Sequence, residues 1–153
     1  MKNILMLDLE GTLVYLNRPS LRSGRDPRPY AQQFVDKCSE LFDQIYMNTC
    51  ANEETTVRTL EEEFGITSFR YHNWMRLGPY QKANGYDSFI DSRIIHVEDG
   101  ISQIEKERIK ELGHHYISVR SWGLFLSKEE RVKDRELLRV LDEIKKILGK
   151  QNA

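Results

Sequence analysis

The sequence is poor in cysteine, in net charge and in long apolar runs, and each shortage removes a class of function. Cys38 and Cys50 are the only cysteines in 153 residues. They are too few for a disulfide framework, they lack metal-knuckle spacing, and they suit a reducing cytosol. Neither is followed six places on by arginine, since Gln44 and Thr56 stand there, so the nucleophile loop of a cysteine phosphatase is absent. Lys and Arg number 23 against 24 Asp and Glu, a balance that gives no overall attraction to nucleic acid or to a membrane surface. No stretch approaches the roughly 18 uninterrupted apolar residues of a membrane span, and the opening Met-Lys-Asn-Ile-Leu-Met-Leu-Asp meets an acid too early for a signal peptide. The expectation is a soluble cytoplasmic protein with no membrane partner and no sequence evidence for a stable protein partner. The length predicts one domain over 1–153, enough for a single core but not for a core plus a large substrate lid.

What the sequence does have begins at once. Ile4, Leu5, Met6 and Leu7 read as a strand buried on both faces, as in a parallel sheet covered by helices. The run delivers Asp8 and, two places later, Glu10, and Gly11 breaks it. Reactive groups in open α/β sheets gather just beyond the carboxyl ends of strands. A carboxylate there can attack a phosphoryl group and carry it as an acyl phosphate. A plain buried strand followed by a turn is the bland alternative.

Residues 17–28 lose periodicity and gather Pro19, Gly24 and Pro27 with Arg18, Arg22, Arg25 and Arg28. They predict a long basic loop over 18–28, either solvated or meeting an anionic substrate through arginines such as Arg22 and Arg25. A helix begins near Pro29 or Tyr30, with Tyr30, Phe34, Val35, Cys38, Leu41 and Phe42 as its apolar face. The bias of 44–49 predicts a second strand ending at Thr49. Asn52 caps a helix over 53–64 that Gly65 stops, and 67–73 reads as a short strand. His72 has no second ligand at metal spacing nearby. The strand 93–97 runs into Glu98 and Asp99, adjacent acids that are costly at a buried strand end unless they face positive charge, and a hard divalent cation fits.

Ser102 to Glu105 forms a capping box for a helix ended by Gly113, and 115–119 reads as a fifth strand. His114 and His115 are adjacent and make a poor metal pair, which leaves them structural. Ser127 to Glu130 is a second capping box, and an apolar stripe from Val132 to Leu148 gives a closing helix over 127–148, split in two if Asp134 acts as a cap. Strands and helices alternate nearly throughout, predicting an α/β fold with a parallel sheet between two helical layers.

Asp8-Leu9-Glu10-Gly11-Thr12-Leu13-Val14 resembles the first motif of the haloacid dehalogenase (HAD) superfamily, usually Asp-x-Asp-Gly-Thr-Leu/Val. It departs at one place, where Glu10 stands for the usual Asp. Thr49, Lys82 and Glu98-Asp99 follow in the order of the family's second, third and fourth motifs. The Tyr-x-Lys pattern at Lys82 resembles the subgroup that dephosphorylates the RNA polymerase II tail, and the length resembles the small magnesium-dependent phosphatases. A receiver domain fits less well, because its acceptor aspartate follows the third strand.

The resemblance implies a Rossmann-like three-layer α/β/α sandwich without a large cap, and a Mg²⁺-dependent phosphomonoester hydrolase. Asp8 would be the nucleophile and Glu10 the acid and base. Thr49, Lys82, the Cys50 amide and the Gly11 turn would hold the phosphoryl oxygens, and Asp8, Glu98 and Asp99 with Glu10 through its carbonyl would hold the metal. Residues 18–28 would be a flap beside the site. An open site admits a phosphoprotein, a nucleic-acid end, a nucleotide or a sugar phosphate as substrate. The glutamate at 10 also admits a second reading, a phosphate-recognising or scaffold protein of the same fold with little hydrolysis.

Overall fold

The computed structural model describes residues 1–15, 26–49, 53–65, 70–71, 83, 85–123 and 125–150. Five parallel strands, β1 (Lys2–Leu7), β2 (Gln44–Met47), β3 (Arg70–Tyr71), β4 (Ser92–Glu98) and β5 (His115–Ser118), form one sheet in the order β3-β2-β1-β4-β5. Between and after them run the helices α1 (Ala31–Leu41), α2 (Glu53–Phe64), α3 (Gln103–Glu111), α4 (Lys128–Val132) and α5 (Glu136–Lys150). The α/β alternation read from the sequence is therefore present.

The apolar run of β1 makes it the central strand, because Ile4 to Leu7 leave neither face able to meet water. Side chains alternate across a strand, and two cores follow. Leu5 and Leu7 join Ile95 and Val97 in one core with Phe34, Val35 and Cys38 of α1, Leu60 and Phe64 of α2, and Leu137, Val140 and Ile144 of α5. Ile4 and Met6 join Ile94 in the other, with Ile109 of α3 and Tyr86 from a single 3-10 turn over Tyr86–Ser88. Strand order reverses beside β1: the chain steps outward to β2 and β3, then returns to lay β4 on the other side. Crevices at such switch points, outside the carboxyl ends of the strands, are where this architecture binds ligands.

Several boundaries differ from the sequence reading for identifiable reasons. Tyr30 is not part of α1; it precedes the helix in a left-handed conformation (φ 67°), its ring beneath the Arg135 guanidinium at 5.6 Å. The second strand stops at Met47, with Asn48 N still donating to Leu7 O at 2.9 Å and Thr49 one residue beyond. Ser102 caps α3 by accepting from Glu105 N, but the expected reciprocal bond is missing. The Glu105 carboxylate instead turns inward and accepts the Ala83 N–H at 2.8 Å. At Ser127 both halves of the capping box form.

The break at Asp134 is real: α4 ends at Val132, α5 starts at Glu136, and Asp134 Oδ1 accepts from Glu136 N. His114 is structural, its Nδ1 accepting the Ile94 N–H at 3.1 Å. The Asn52 cap, His72 and most of the 67–73 strand lie outside the described residues, as do residues 18–25 of the loop. The loop's end, 26–28, pairs back on 13–15 through Tyr15 N to Asp26 O and Arg28 N to Leu13 O.

Candidate functional site

Strand register sets two of the three carboxylates side by side, and the third, Asp99, follows directly after β4. Leu7 is level with Met47 of β2 and with Val97 of β4, so Asp8 comes level with Asn48 on one flank and Glu98 on the other. Asp8 N donates to Val97 O at 3.1 Å, which continues the ladder one residue past the strand. One carboxylate oxygen from each of Asp8, Glu98 and Asp99 lies within 4.8 Å of the other two. Asp8 and Glu98 are buried and Asp99 is partly exposed.

Three negative groups at that spacing repel strongly: about 3 kcal/mol per pair at an effective dielectric near 20. The strain appears at Asp99. Burial, and then the Asp8 charge, push its pKa up to about 7, against the opposing hydrogen bond from Ser121 Oγ at 2.6 Å. The donor set consists of hard oxygens only, which suits Mg²⁺ or a similar cation and suits thiophilic metals poorly. A cation among them would remove the repulsion that now favours a proton on Asp99.

The turn after Asp8 is held from several sides. Gly11 takes a φ of 79°, which an L side chain would strain, and Thr12 N, Leu13 N and Val14 N all donate to Leu9 O. Thr12 Oγ1 donates to Asp8 Oδ2 at 3.2 Å, orienting that carboxylate. Arg28, fully buried, donates to the carbonyls of Gly11 and Thr12 at 3.2 and 3.3 Å and pairs through Nε and Nη2 with both oxygens of Asp134. Trp122 N also donates to Gly11 O.

Against the sequence reading, Asp8, Glu98 and Asp99 come together as expected. The Glu10 carboxylate is not one of the clustered three; Glu10 is half-buried, and its backbone bridges Val14. The Gly11 N–H donates to Val14 O at 2.9 Å, so that amide serves the turn and does not point out as a phosphate donor. Thr49 is buried just past β2. Arg28 is committed to the turn and to Asp134, which takes it out of the arginines that could meet an anion. Lys82, Cys50, Arg22 and Arg25 lie outside the described residues.

Sequence reasoning missed Thr12, Ser121 and a buried chain of side chains behind Glu98. Asn48 Nδ2 donates to the Tyr86 hydroxyl at 2.6 Å, that hydroxyl lies 2.5 Å from His96 Nδ1, and His96 Nε2 lies 3.1 Å from Glu98 Oε1. One signal for it existed: His96 sits two residues before Glu98 in an apolar strand, so both share one face. Among the described residues no helix is long and apolar enough to cross a membrane. No family model, curated protein or solved structure matches the chain.

Proposed function

We propose that the chain is a Mg²⁺-dependent phosphomonoester hydrolase of the haloacid dehalogenase kind, a three-layer α/β/α protein without a large cap, working in the cytoplasm. The observation that carries this reading is the convergence of Asp8, Glu98 and Asp99 within 4.8 Å at the switch point of a parallel sheet. Asp8, Glu98 and Asp99 would hold the cation, which when bound offsets the charge between nucleophile and phosphate.

The Asp8 carboxylate attacks phosphorus in line, and the bond from phosphorus to the leaving oxygen breaks as the aspartyl phosphate forms. Glu10 gives its proton to that oxygen, and an alcohol departs. Glu10, now ionised, takes a proton from water as that water attacks phosphorus, releasing inorganic phosphate and restoring Asp8. Thr12, bonded to Asp8 Oδ2, keeps the nucleophile in one rotamer through both steps. Thr49, Lys82 and the Cys50 amide are the groups assigned to the phosphoryl oxygens, and Arg22 and Arg25 to the rest of the substrate. With too little sequence between the motifs for a large cap domain, a phosphoprotein or nucleic-acid end would enter as readily as a nucleotide or sugar phosphate.

Glu10 supports a second reading. Its side chain is one methylene longer than aspartate, and a misplacement near an ångström costs on the order of a hundredfold in rate, so a phosphate-binding protein with little turnover fits the same site. Hydrolysis of an aryl phosphate with Mg²⁺ separates the two. Activity in the wild type that Asp8→Asn abolishes supports the enzyme; activity appearing only in Glu10→Asp supports the binding protein and refutes the enzyme.

A further inference from the structure

The four residues Asn48, Tyr86, His96 and Glu98 are each at least 98 % buried. Polar groups so deep are costly unless mutually satisfied, and an apolar set would pack this position at lower cost. The links can be given one direction. The Asn48 amide nitrogen donates to the Tyr86 oxygen, and we assign the single Tyr86 proton to His96 Nδ1. Burial holds the Tyr86 hydroxyl well above its ordinary range, so the proton stays available. With Nδ1 accepting, the neutral imidazole carries its hydrogen on Nε2, aimed at Glu98 Oε1. The opposite tautomer would set a lone pair against a carboxylate oxygen. Tyr116 adds a donor from β5, its hydroxyl bonding the Glu98 carbonyl at 3.2 Å.

We propose that Asn48, Tyr86 and His96 form a buried positioning chain that anchors Glu98 as the pre-oriented carboxylate of the cation site and ties the end of β2, next to Thr49, to the end of β4. This rests on the reading of the three carboxylates as a Mg²⁺ site. His96 is a positioning residue and touches no reacting atom. Asp99, partly exposed and held by Ser121 Oγ and by Asp8, is the carboxylate that adjusts when the cation arrives, while Glu98 is already set. Partners that orient ligands in this way typically account for about 10- to 100-fold in metal affinity.

The test is Mg²⁺ titration calorimetry on the whole protein, with folding of each variant followed by circular dichroism. His96→Leu is expected to weaken Mg²⁺ binding by about 10- to 100-fold, whereas His96→Gln, which keeps an N–H near the Nε2 position, retains most of it. Tyr86→Phe weakens binding although Tyr86 does not touch Glu98, and the double variant Tyr86→Phe/His96→Leu is no worse than His96→Leu alone. A folded His96→Leu that binds Mg²⁺ as the wild type does, or additive losses in the double variant, overturns the proposal and leaves the phosphatase reading standing. A wild type that binds no Mg²⁺ sinks both.

A second measurement needs no cation and no variant. Imidazole nitrogen shifts by NMR should show His96 protonated on Nε2 with Nδ1 bare. Protonation of Nδ1, alone or together with Nε2, overturns the directed chain.

Discussion

At the proposed cation site a proton on Asp99 would compete with the divalent cation for one position, and the competition can be measured. The Asp99 carboxyl is raised from 3.8 to about 7, chiefly by burial and by Asp8, so below neutrality a cation must expel a proton to bind. Each pH unit below about 7 then costs the site nearly tenfold in apparent affinity, because the competent ionised fraction falls tenfold. From about pH 8 to about pH 5 the loss is close to a hundredfold, or about 3 kcal/mol. Mg²⁺ calorimetry across that range gives the affinities, and repeating it in buffers of different ionisation enthalpy counts protons. Near pH 6 close to one proton should leave per cation bound, and by about pH 8.5 almost none. In Asp99→Asn, binding is weaker throughout but nearly independent of pH. An affinity that stays constant from about pH 5.5 to 8, with no heat dependent on buffer, would refute the reasoning; a slope that survives in Asp99→Asn would move the proton to another group.

Three further outcomes follow from the same structure. An aspartate with a raised folded-state pKa destabilises the fold: the penalty is absent below its unfolded value of about 4, grows as pH rises and is full above about 7. In metal-free protein Asp99→Asn should therefore stabilise by on the order of 1–3 kcal/mol at about pH 8 and by almost nothing near pH 4, read from urea unfolding. Arg28→Met strips a buried Asp134, whose side chain is 7 % exposed, of its bidentate partner, and should cost about 3–5 kcal/mol, much of it recovered by adding Asp134→Leu; Arg28→Lys should not rescue, since one ammonium cannot span two carboxylate oxygens and two carbonyls. Burial pushes the Cys38 thiol up to about 12, so mass spectrometry should find it alkylated only at the rate of unfolding.

The parts of the fold that local pattern controls were legible in advance. The apolar run at Ile4–Leu7 allows no position except the middle of a sheet, and Ser127 with Glu130 could be read as a cap because the three-residue spacing is the mechanism itself. Ser102 and Glu105 have the same spacing and close only half the box. The difference lies 22 residues upstream, where the Ala83 N–H attracts the Glu105 carboxylate, and no local rule carries that information. At the site, the acids announced themselves by standing at strand ends. Arg28 read as one more basic residue in a loop, because its partner Asp134 is 106 residues away. His96 was hidden in the opposite way, since a histidine inside an apolar strand shows its purpose only once Tyr86 is known to lie beside it.

The distribution of these long-range contacts shows how responsibility for the site is divided along the chain. Backbone pairing among β1, β2 and β4 brings Asp8, Asn48 and Glu98 level, and it needs only the parallel ladder. The turn that orients Asp8 depends on the other end of the molecule. Gly11 O accepts from Arg28 and from Trp122 N, Arg28 is fixed by Asp134 at the α4–α5 break, and Trp122 Nε1 donates to Arg131 O within α4. The closing helices are thus braces on the Gly11–Thr12 turn as well as cover for the sheet. Weakening them should loosen the bond from Thr12 to Asp8 before it separates the carboxylates. Cation binding would then survive perturbations at Asp134 that already slow any chemistry requiring the Asp8 rotamer, and a protein that binds Mg²⁺ normally but reacts slowly is the signature of damage on that side.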